Sequence, residues 1–417
     1  MPVWIATAQP ILPEAEITTR LFIASTPTMA LACAGAALAQ GGRSELVLIE
    51  DFAGARQLQA LLAGWRDLPF QAMHRLPGRR LEQRAAGRGN LRLACKRRLR
   101  QKTLPALRRL DARLRPDQVW LGNDRKPETQ LALYLASRRL GRRTGQYLDD
   151  GLYSYLGDVR RRPLSRRIDT LAKWLTYGHW WQRADHAGGS RWMARHWLAL
   201  PARAPAYPAA SRSPLPRHWY DNRPMRRLAL AALRQFGLAR RHLQVVDHVL
   251  VLPCSDRWPD AGHWHRRLDE ALRALRRPGR RLAVKFHPRE SRANLIDDID
   301  LTVLPSLLPL ELLLPVLPAH ARLLGEGTSA LLGAHWLRPE LAISMLALSD
   351  GRPGPGGGAA LAPLGAPVDP YSRRATELFA SQGIGRSPAL SPLAVGAAPP
   401  MPIPMPAGRV AAAGTGC

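Results

Sequence analysis

The sequence predicts an α/β protein with two domains, each organised around a parallel sheet. Short apolar runs that can form buried strands alternate with longer stretches that can form helices, which is typical of this class. The alternation occurs twice, before about residue 150 and after residue 226, and a Pro/Ser-rich stretch at 202–223 lies between. The chain has 417 residues, enough for two or three domains with a sizeable core.

The chain is strongly basic, with 61 Lys and Arg residues against 32 Asp and Glu residues and a formal net charge of +29. Such a surplus indicates polyanionic partners: nucleic acid, an anionic membrane face, nucleotides or acidic glycans. Most of these cations are arginines, and Ala, Leu, Pro and Gly are also abundant. This composition is typical of a GC-rich genome, whose codon usage favours arginine.

Cysteine usage and the chain ends predict a cytoplasmic protein. The four cysteines (Cys33, Cys95, Cys254 and Cys417) show no Cys-x-x-Cys spacing, so neither a metal site nor a disulfide framework is indicated. The first residues lack a basic region followed by an apolar one, so we expect no signal peptide. The apolar stretch 301–324 is cut by four prolines, which favours buried structure over a membrane span.

The first half of the chain predicts strand–helix–strand units of a parallel sheet. Ser25-Thr26-Pro27 offers a cap and a first-turn proline for the first helix, which Gly41 ends. The basic stretch 79–115 predicts one or two amphipathic helices with a solvated face, and its few aromatics argue against single-strand nucleic-acid binding. The predicted strands are 21–25, 45–50, 118–121 and 144–148, and the predicted helices are 28–40, 57–63 and 127–140.

The second half repeats this pattern after a different middle section. Residues 152–203 are rich in Trp and His, and we expect helices and a long connection there that pack the two halves together. The predicted strands that follow are 248–253, 281–287, 301–304, 321–324 and 341–344, and the predicted helices are 226–241, 263–276, 309–314 and one ending at Trp336.

These elements divide the chain into four parts. We expect a Rossmann-like domain at 1–155, a helical connection and linker at 156–225, a second Rossmann-like domain at 226–348, and a tail at 349–417. Gly, Pro and Ala dominate the tail, which predicts partial disorder, with a helix at 371–380 crossing back onto the first domain.

Two common nucleotide-binding motifs are absent from the sequence. There is no Gly-x-Gly-x-x-Gly, which argues against a dinucleotide dehydrogenase, and no Gly-x-x-x-x-Gly-Lys-Ser/Thr phosphate loop. The remaining candidate is a site in the cleft between the two domains, at the carboxyl ends of their strands.

Two features on predicted strand ends favour that cleft. Asp149-Asp150-Gly151 follows strand 144–148, and two carboxylates beside a glycine that admits a ligand suit a general base, although an Asp-Gly turn is the commoner explanation. Strand alternation places Lys285 and His287 on one face, where both can meet one phosphate or leaving group. A lone His-Pro is more often an ordinary strand end.

Two further features lie downstream. Gly327-Thr328-Ser329 opens a helix, where backbone N–H groups and hydroxyls form an anion site, a reading compatible with a simple helix cap. Glu311 lies in the apolar segment Leu-Pro-Leu-Glu-Leu-Leu. A carboxylate there either pairs with an arginine or holds ribose hydroxyls.

In this order and spacing, the Asp-Asp-Gly, Lys-x-His-Pro, Pro-x-Glu and Thr-Ser segments resemble the motifs of bacterial sialyltransferases. Those families carry an acidic-acidic-Gly motif, a His-Pro motif and a Ser/Thr motif on the GT-B fold, two Rossmann-like domains facing each other across a cleft. The segments 23–28 and 122–124 are also similar, particularly to the polysialyltransferase-like and lipooligosaccharide sialyltransferase groups. The resemblance covers about residues 20–345.

The resemblance implies an inverting, metal-independent transfer of sialic acid from CMP-sialic acid to a hydroxyl of a cell-surface glycan, lipooligosaccharide or capsular polysaccharide. Asp149 would deprotonate the acceptor with support from Asp150, and His287 would meet the departing phosphate. The other implied contacts are Lys285, Pro288, Glu311, Gly327, Thr328 and Ser329 with the donor, and Asn123 and Asp124 with the acceptor.

The implied partners are a CMP-activated donor and a glycan acceptor. The basic charge of the chain predicts a peripheral contact with the anionic inner face of the plasma membrane, whereas nucleic acid is not expected. No metal or other cofactor is expected, and Asp298-Ile-Asp300 is interpreted as a solvated turn. Two alternatives stay open: a GT-B transferase for another nucleotide sugar, and a non-enzymatic basic protein that binds membrane or nucleic acid.

Overall fold

The computed structural model describes residues 17–52, 54–78, 89–156, 163–184, 186–205, 207, 210–253, 261–275, 279–288, 290, 301–325, 328–346 and 370–385. Several predictions fall outside the described residues: the absence of a signal peptide at the N-terminus, the first part of the basic stretch 79–115, the role of Gly327, the turn at Asp298-Ile-Asp300, and the disorder of the tail at 349–369 and 386–417.

The first domain is built on a sheet of seven parallel strands in the order β3-β2-β1-β4-β5-β6-β7. The central strand β1 is buried, and its Phe22 lies in register with Leu46 on one side and Trp120 on the other. The strands are β1 (Thr19–Ala24), β2 (Arg43–Glu50), β3 (Ala72–Pro77), β4 (Gln118–Leu121), β5 (Gly145–Leu148), β6 (Met193–Leu198) and β7 (Ser211–Pro214).

Within the described residues, six helices accompany this sheet. The first begins as the sequence predicts, because the Thr26 side chain accepts a hydrogen bond from the Met29 N–H and Pro27 occupies the first turn. Its small residues permit close packing: a Cβ on Gly35 would lie 2.2 Å from the Trp219 carbonyl oxygen. The helices are α1 (Pro27–Gln40), α2 (Ala55–Ala63), α3 (Gly89–Leu114), α4 (Pro127–Leu140), α5 (Tyr153–Leu156) and α6 (Pro163–Tyr177).

The second domain contains a sheet of five parallel strands in the order β10-β9-β8-β11-β12. The strands are β8 (His248–Val251), β9 (Leu282–Lys285), β10 (Thr302–Leu304), β11 (Arg322–Gly325) and β12 (Ala342–Met345). The helices are α7 (Arg223–Gln235), α8 (Arg240–Gln244), α9 (Ala261–Leu275), α10 (Leu310–Leu313), α11 (Ser329–Leu337) and α12 (Pro370–Ser381). In both sheets the strand order reverses beside the first strand of the domain, as in a Rossmann-like fold.

The structure differs from the sequence prediction between residues 156 and 225. Besides helix α6, this stretch contributes β6 and β7, which extend the first sheet beyond residue 155. In β6 (Met-Ala-Arg-His-Trp-Leu), exposed Arg195 and buried His196 interrupt the apolar residues, so the strand has no continuous apolar run. Strand β7 (Ser-Arg-Ser-Pro) lies at the sheet edge, where a proline is tolerated, and its composition is that of a linker.

The two domains share one large apolar core. Phe22 and Trp120 from the first sheet belong to the same buried cluster as Leu313 and Leu331 from the second domain. Helix α12 also joins this cluster through Phe379 and contacts α5, in agreement with the predicted helix that crosses back onto the first domain. The prediction of two Rossmann-like α/β domains is confirmed. Within the described residues, no helix is both long and apolar enough to cross a membrane.

Candidate active site

A cleft of about 640 Å³ lies between the carboxyl ends of the two sheets. Both domains line it, so the predicted GT-B arrangement, with two Rossmann-like domains facing each other across a cleft, is confirmed. The lining residues that follow strands of the first sheet include Ser25, Thr26, Thr28, Asp51, Asn123, Lys126 and Asp150. Those of the second domain include Leu252, Lys285, His287, Pro288, Glu311, Thr328 and Ser329.

Asp149 anchors the turn that follows β5. Its Oδ1 accepts hydrogen bonds from the Gly151 N–H (2.8 Å) and the Ser154 hydroxyl (2.9 Å). Its Oδ2 accepts from the Ala199 N–H (2.8 Å) and from the Tyr155 hydroxyl. Desolvation raises the pKa of Asp149, and these hydrogen bonds oppose the rise. Both oxygens are thus committed to holding the turn.

Asp150, rather than Asp149, lines the cleft. Its own N–H donates to the Ser154 hydroxyl (2.9 Å), which fixes the backbone of the turn. Desolvation, and then the neighbouring charge of Asp149, raise the pKa of Asp150 to about 7, while Lys126 acts against the rise. A carboxylate that titrates near neutrality and faces a cleft is suited to accept a proton.

Lys126 is a cleft residue that the sequence analysis missed. It forms an ion pair with Asp51, which follows β2. Burial lowers the pKa of Lys126 to about 8, and the charge of Asp150 opposes this shift. Its only signal in the sequence is its position, between the loop after β4 and the proline that opens α4.

The structure separates the two residues predicted to bind the acceptor. Asn123 lines the cleft, and its Oδ1 accepts from the Arg125 N–H (3.0 Å). Asp124 is fully buried, and it accepts from the backbone N–H groups of Gly188 (2.9 Å) and Ser190 (2.7 Å). Burial raises the pKa of Asp124 to about 6, and these two hydrogen bonds oppose the rise. Asp124 therefore ties the β4 loop to the loop before β6.

Lys285 is the last residue of β9 and is buried at the cleft wall. Its ammonium donates to the carbonyl oxygens of Phe286 (3.1 Å) and Ser306 (2.9 Å). Burial lowers the pKa of Lys285 to about 8, and the charge of Glu311 opposes the shift. His287 and Pro288 line the cleft directly after it.

Glu311 lies in α10 at the boundary of the two domains. Its Oε2 accepts from the hydroxyl of Thr28, in the first turn of α1, at 3.5 Å. Desolvation raises the pKa of Glu311, whereas Lys285 and Thr28 favour the charged form. Among the described residues, the groups that stabilise the Glu311 carboxylate are thus Lys285 and Thr28, and not the arginine that the sequence offered as one possibility. A Cβ on Gly333 would lie 3.1 Å from Glu311 Oε1, so glycine at that position makes room for the carboxylate.

The start of α11 meets the acidic turn across the cleft. Thr328 caps this helix: its hydroxyl oxygen accepts a hydrogen bond from the Ala330 N–H at 3.4 Å. Ser329 is the first residue of the helix. Gly151 has a positive φ of 68°, and a Cβ there would lie 2.7 Å from the Cβ of Ser329. The glycine of the acidic motif therefore makes room for Ser329 of the second domain. From the sequence, we expected it to make room for a ligand.

Among the described residues, no group of three or more His, Cys, Asp and Glu side chains could hold a metal ion.

The predicted site residues within the described part of the chain fall into two sets. Eight of them line the cleft, whereas Asp149 and Asp124 hold the loops that carry them.

Comparison with known proteins gives similarity in fold alone. No family model matches the chain, and no curated protein matches it. Solved structures do match. A putative UDP-N-acetylglucosamine 2-epimerase from Listeria monocytogenes is 13% identical with a TM-score of 0.44, covering 88% of this chain and 89% of that one.

Two glycosyltransferase structures give similar values. The spinosyn rhamnosyltransferase SpnG, complexed with thymidine diphosphate, is 15% identical with a TM-score of 0.44, covering 89% of this chain and 86% of its own. The calicheamicin glycosyltransferase CalG4 is 12% identical with a TM-score of 0.44, and the match covers 88% of this chain and 84% of that one. Similarity at this level carries no conclusion about activity, which depends on the residues in the cleft.

Proposed function

We propose that this chain is a glycosyltransferase that uses a nucleotide-activated sugar and inverts its anomeric centre. The observation that carries the proposal is the pairing across one cleft: Asp150, with a pKa near neutrality, on the first domain, and His287, Thr328 and Ser329 on the second. A base on one side and anion-binding groups on the other suit displacement of a phosphate leaving group by a hydroxyl.

In the proposed reaction, an acceptor hydroxyl gives its proton to Asp150 as its oxygen bonds to the anomeric carbon. The bond between that carbon and the donor phosphate breaks, and the nucleotide leaves with the electron pair. His287 and the N–H groups at the start of α11 then stabilise the charge that develops on the phosphate. Attack from the side opposite the leaving group inverts the anomeric centre.

The base in this proposal is Asp150 instead of Asp149, which the sequence resemblance implied. All four hydrogen bonds to Asp149 come from its own domain and hold the turn in place. A carboxylate so engaged is a poor proton acceptor, because taking a proton would break contacts that position its neighbour. Asp149 becomes the residue that positions Asp150 and, through its charge, raises the pKa of Asp150.

For the donor we propose CMP-sialic acid or a related CMP-linked sugar acid. The support is the ordered set of motifs, most of whose described members line the cleft, with Lys285 beside Glu311 for the nucleoside. The alternative is a different nucleotide sugar, such as a UDP- or TDP-linked sugar. For the acceptor we propose a hydroxyl of a cell-surface glycan, glycosylated at the cytoplasmic membrane face.

A donor panel tests the proposal. Purified protein would be incubated with CMP-sialic acid, and in parallel with UDP- and TDP-sugars, and released nucleotide measured with and without EDTA. Release from CMP-sialic acid that EDTA does not affect is the expected result. Release from a UDP- or TDP-sugar alone would reject the donor but keep the reaction, whereas no release from any donor by folded protein would reject the reaction.

A further inference from the structure

The described side chains of helix α6, at residues 170–177, include a polar one that faces the cleft and three large apolar ones that face outward. Lys173 is half-buried, lines the cleft, and places its ammonium 5.4 Å from the centre of the Trp181 ring. Tyr177 lies on the same side and packs against Trp180. On the opposite side, Leu171, Trp174 and Leu175 are 57%, 50% and 72% exposed.

This outward face is unusual for the molecule. A surface helix normally buries its apolar side against the core and exposes its polar side. Of the seven large apolar side chains exposed within the described part of the chain, three fall within five residues of α6. Positions i, i+3 and i+4 form one continuous stripe on a helix. We call Leu171, Trp174 and Leu175 the α6 stripe.

Exposed arginines lie beyond the carboxyl end of α6. His179, two residues after the helix, bonds the Tyr134 hydroxyl at 3.1 Å, and exposed Arg138 donates to that hydroxyl at 3.0 Å. Exposed Arg191 donates to the His179 carbonyl oxygen at 3.3 Å and covers the Trp192 ring at 4.5 Å. Over residues 163–191 the sequence has five Arg and Lys residues against two acidic ones: Arg166, Arg167, Lys173, Arg183 and Arg191 against Asp169 and Asp185.

We propose that the α6 stripe docks on the surface of an anionic lipid bilayer. A Leu/Trp stripe beside arginines is the combination with which interfacial helices bind such surfaces, because apolar side chains enter the acyl boundary while cations meet the headgroups. The net charge of +29 adds long-range attraction to the same partner.

The position of α6 links this surface to the cleft. The same helix presents the stripe outward and Lys173 inward, so docking holds the mouth of the cleft close to the lipid headgroups. Tyr153, 51% exposed and also part of the cleft lining, adds an aromatic side chain on this domain. An acceptor glycan carried on a lipid could then reach the cleft. Docking itself does not depend on the proposed transferase activity.

Vesicle binding tests the docking proposal. The full chain would be sedimented with vesicles of phosphatidylcholine alone, and with vesicles of phosphatidylcholine mixed equally with phosphatidylglycerol. We expect binding to the mixed vesicles that weakens as salt concentration rises. The triple variant Leu171→Gln, Trp174→Ser, Leu175→Gln should bind at least about tenfold more weakly.

A matched control uses exposed apolar residues elsewhere. Val245 and Val303 are 47% and 48% exposed, and the double variant Val245→Gln, Val303→Gln should bind vesicles as the wild type does. Wild-type protein that binds neither vesicle, or a folded triple variant that binds as well as wild type, would overturn the proposal. The proposal would also be overturned if the stripe served only self-association. In that case light scattering would show a lower mass for the triple variant than for the wild type, and neither protein would bind vesicles.

Discussion

Asp149 and Asp150 are neighbours in the chain, yet their surroundings differ. Asp149 accepts hydrogen bonds from four donors of its own domain, whereas Asp150 faces the cleft and titrates near pH 7. The first holds the turn and the second is available to a substrate. The residue pattern by itself did not tell the two apart, and the family resemblance implied Asp149 as the base. Two adjacent carboxylates carry no local signal that tells which one a strand end directs outward.

Replacing each aspartate separately distinguishes these roles. Asp150→Asn should lower the rate of nucleotide release by about 10²–10⁴-fold while the protein stays folded, because this is the usual contribution of a general base. Asp149→Asn should instead lower the free energy of unfolding by about 1–3 kcal/mol, because its amide nitrogen would face hydrogen-bond donors. Urea unfolding and initial rates measure both effects. An Asp150→Asn enzyme with the wild-type rate would rule out the assignment.

The pH dependence follows from the raised pKa of Asp150. The base must be ionised, so the wild-type rate should rise as pH increases through about 7 and then level off. The folded state also holds a proton that the unfolded chain loses from about pH 4 upward, so this group makes the protein less stable as pH rises from about 4 to 7. Asp150→Asn should remove both dependences. A wild-type rate that stays flat between pH 6 and 8 would contradict the assigned pKa.

Lys126 tunes this titration. Its charge favours ionised Asp150, so Lys126→Met should raise the pKa of Asp150 and move the rising limb of the pH–rate curve upward by as much as about one unit. Lys173→Met is the matched control, because Lys173 lines the same cleft but is not among the groups that shift Asp150. An equal shift in both variants, or none in Lys126→Met, would exclude the tuning role.

At the scale of elements, the acidic turn after β5 meets the start of α11. The contact is possible because residue 151 is a glycine with a positive φ beside Ser329. The sequence predicts both elements and where they begin and end, since each is marked by local signals such as an Asp-Gly turn and a Thr-Ser cap. Their mutual approach across the two domains depends on long-range packing, which no local pattern encodes.

Alanine at two glycines isolates this contact. Gly141 and Gly151 both have a positive φ, but a Cβ at Gly141 meets nothing within 4 Å. Gly141→Ala should therefore lower the free energy of unfolding by about 1 kcal/mol, because glycine is preferred at a positive φ. Gly151→Ala should lower it by more and should also slow nucleotide release. Thermal unfolding and initial rates compare the two. Equal losses of stability in both variants would show that Ser329 moves away from the added methyl group at no cost in free energy.

Strands differ in how far the sequence predicts them. The central strands β1, β4 and β8 are short apolar runs, and their predicted positions agree with the structure within a few residues. Strands β3, β6 and β7 were not predicted. They lie toward the two edges of the first sheet, where polar residues and proline are tolerated and the apolar signal fades.

At the scale of the whole molecule, one site requires both domains. Glu311 of the second domain accepts a hydrogen bond from Thr28 of the first, and a single apolar core joins the two sheets. The sequence indicated this arrangement through its two predicted α/β domains and through the order of its motifs. A ligand bound in the cleft would contact both halves and favour their folded, assembled state.

Ligand-dependent stability tests this arrangement. At one hundred times its dissociation constant, CMP should raise the free energy of unfolding by about 2.7 kcal/mol, because it binds the folded state alone. Glu311→Gln, which alters the proposed ribose contact, should reduce the gain at the same CMP concentration. UMP and TDP measured in parallel identify the preferred nucleotide. Stability unchanged by all three would argue against a nucleotide site.

The central claim is that Asp150 and His287, from opposite domains, act on the two ends of one displacement. The most direct measurement is the rate of CMP release from CMP-sialic acid with a hydroxyl acceptor, for Asp150→Asn, His287→Ala and the double variant. Each single variant should lose about 10²-fold or more, and the double variant should lose less than the product of the two, because the groups act as a unit. A folded single variant with the full wild-type rate would contradict the claim.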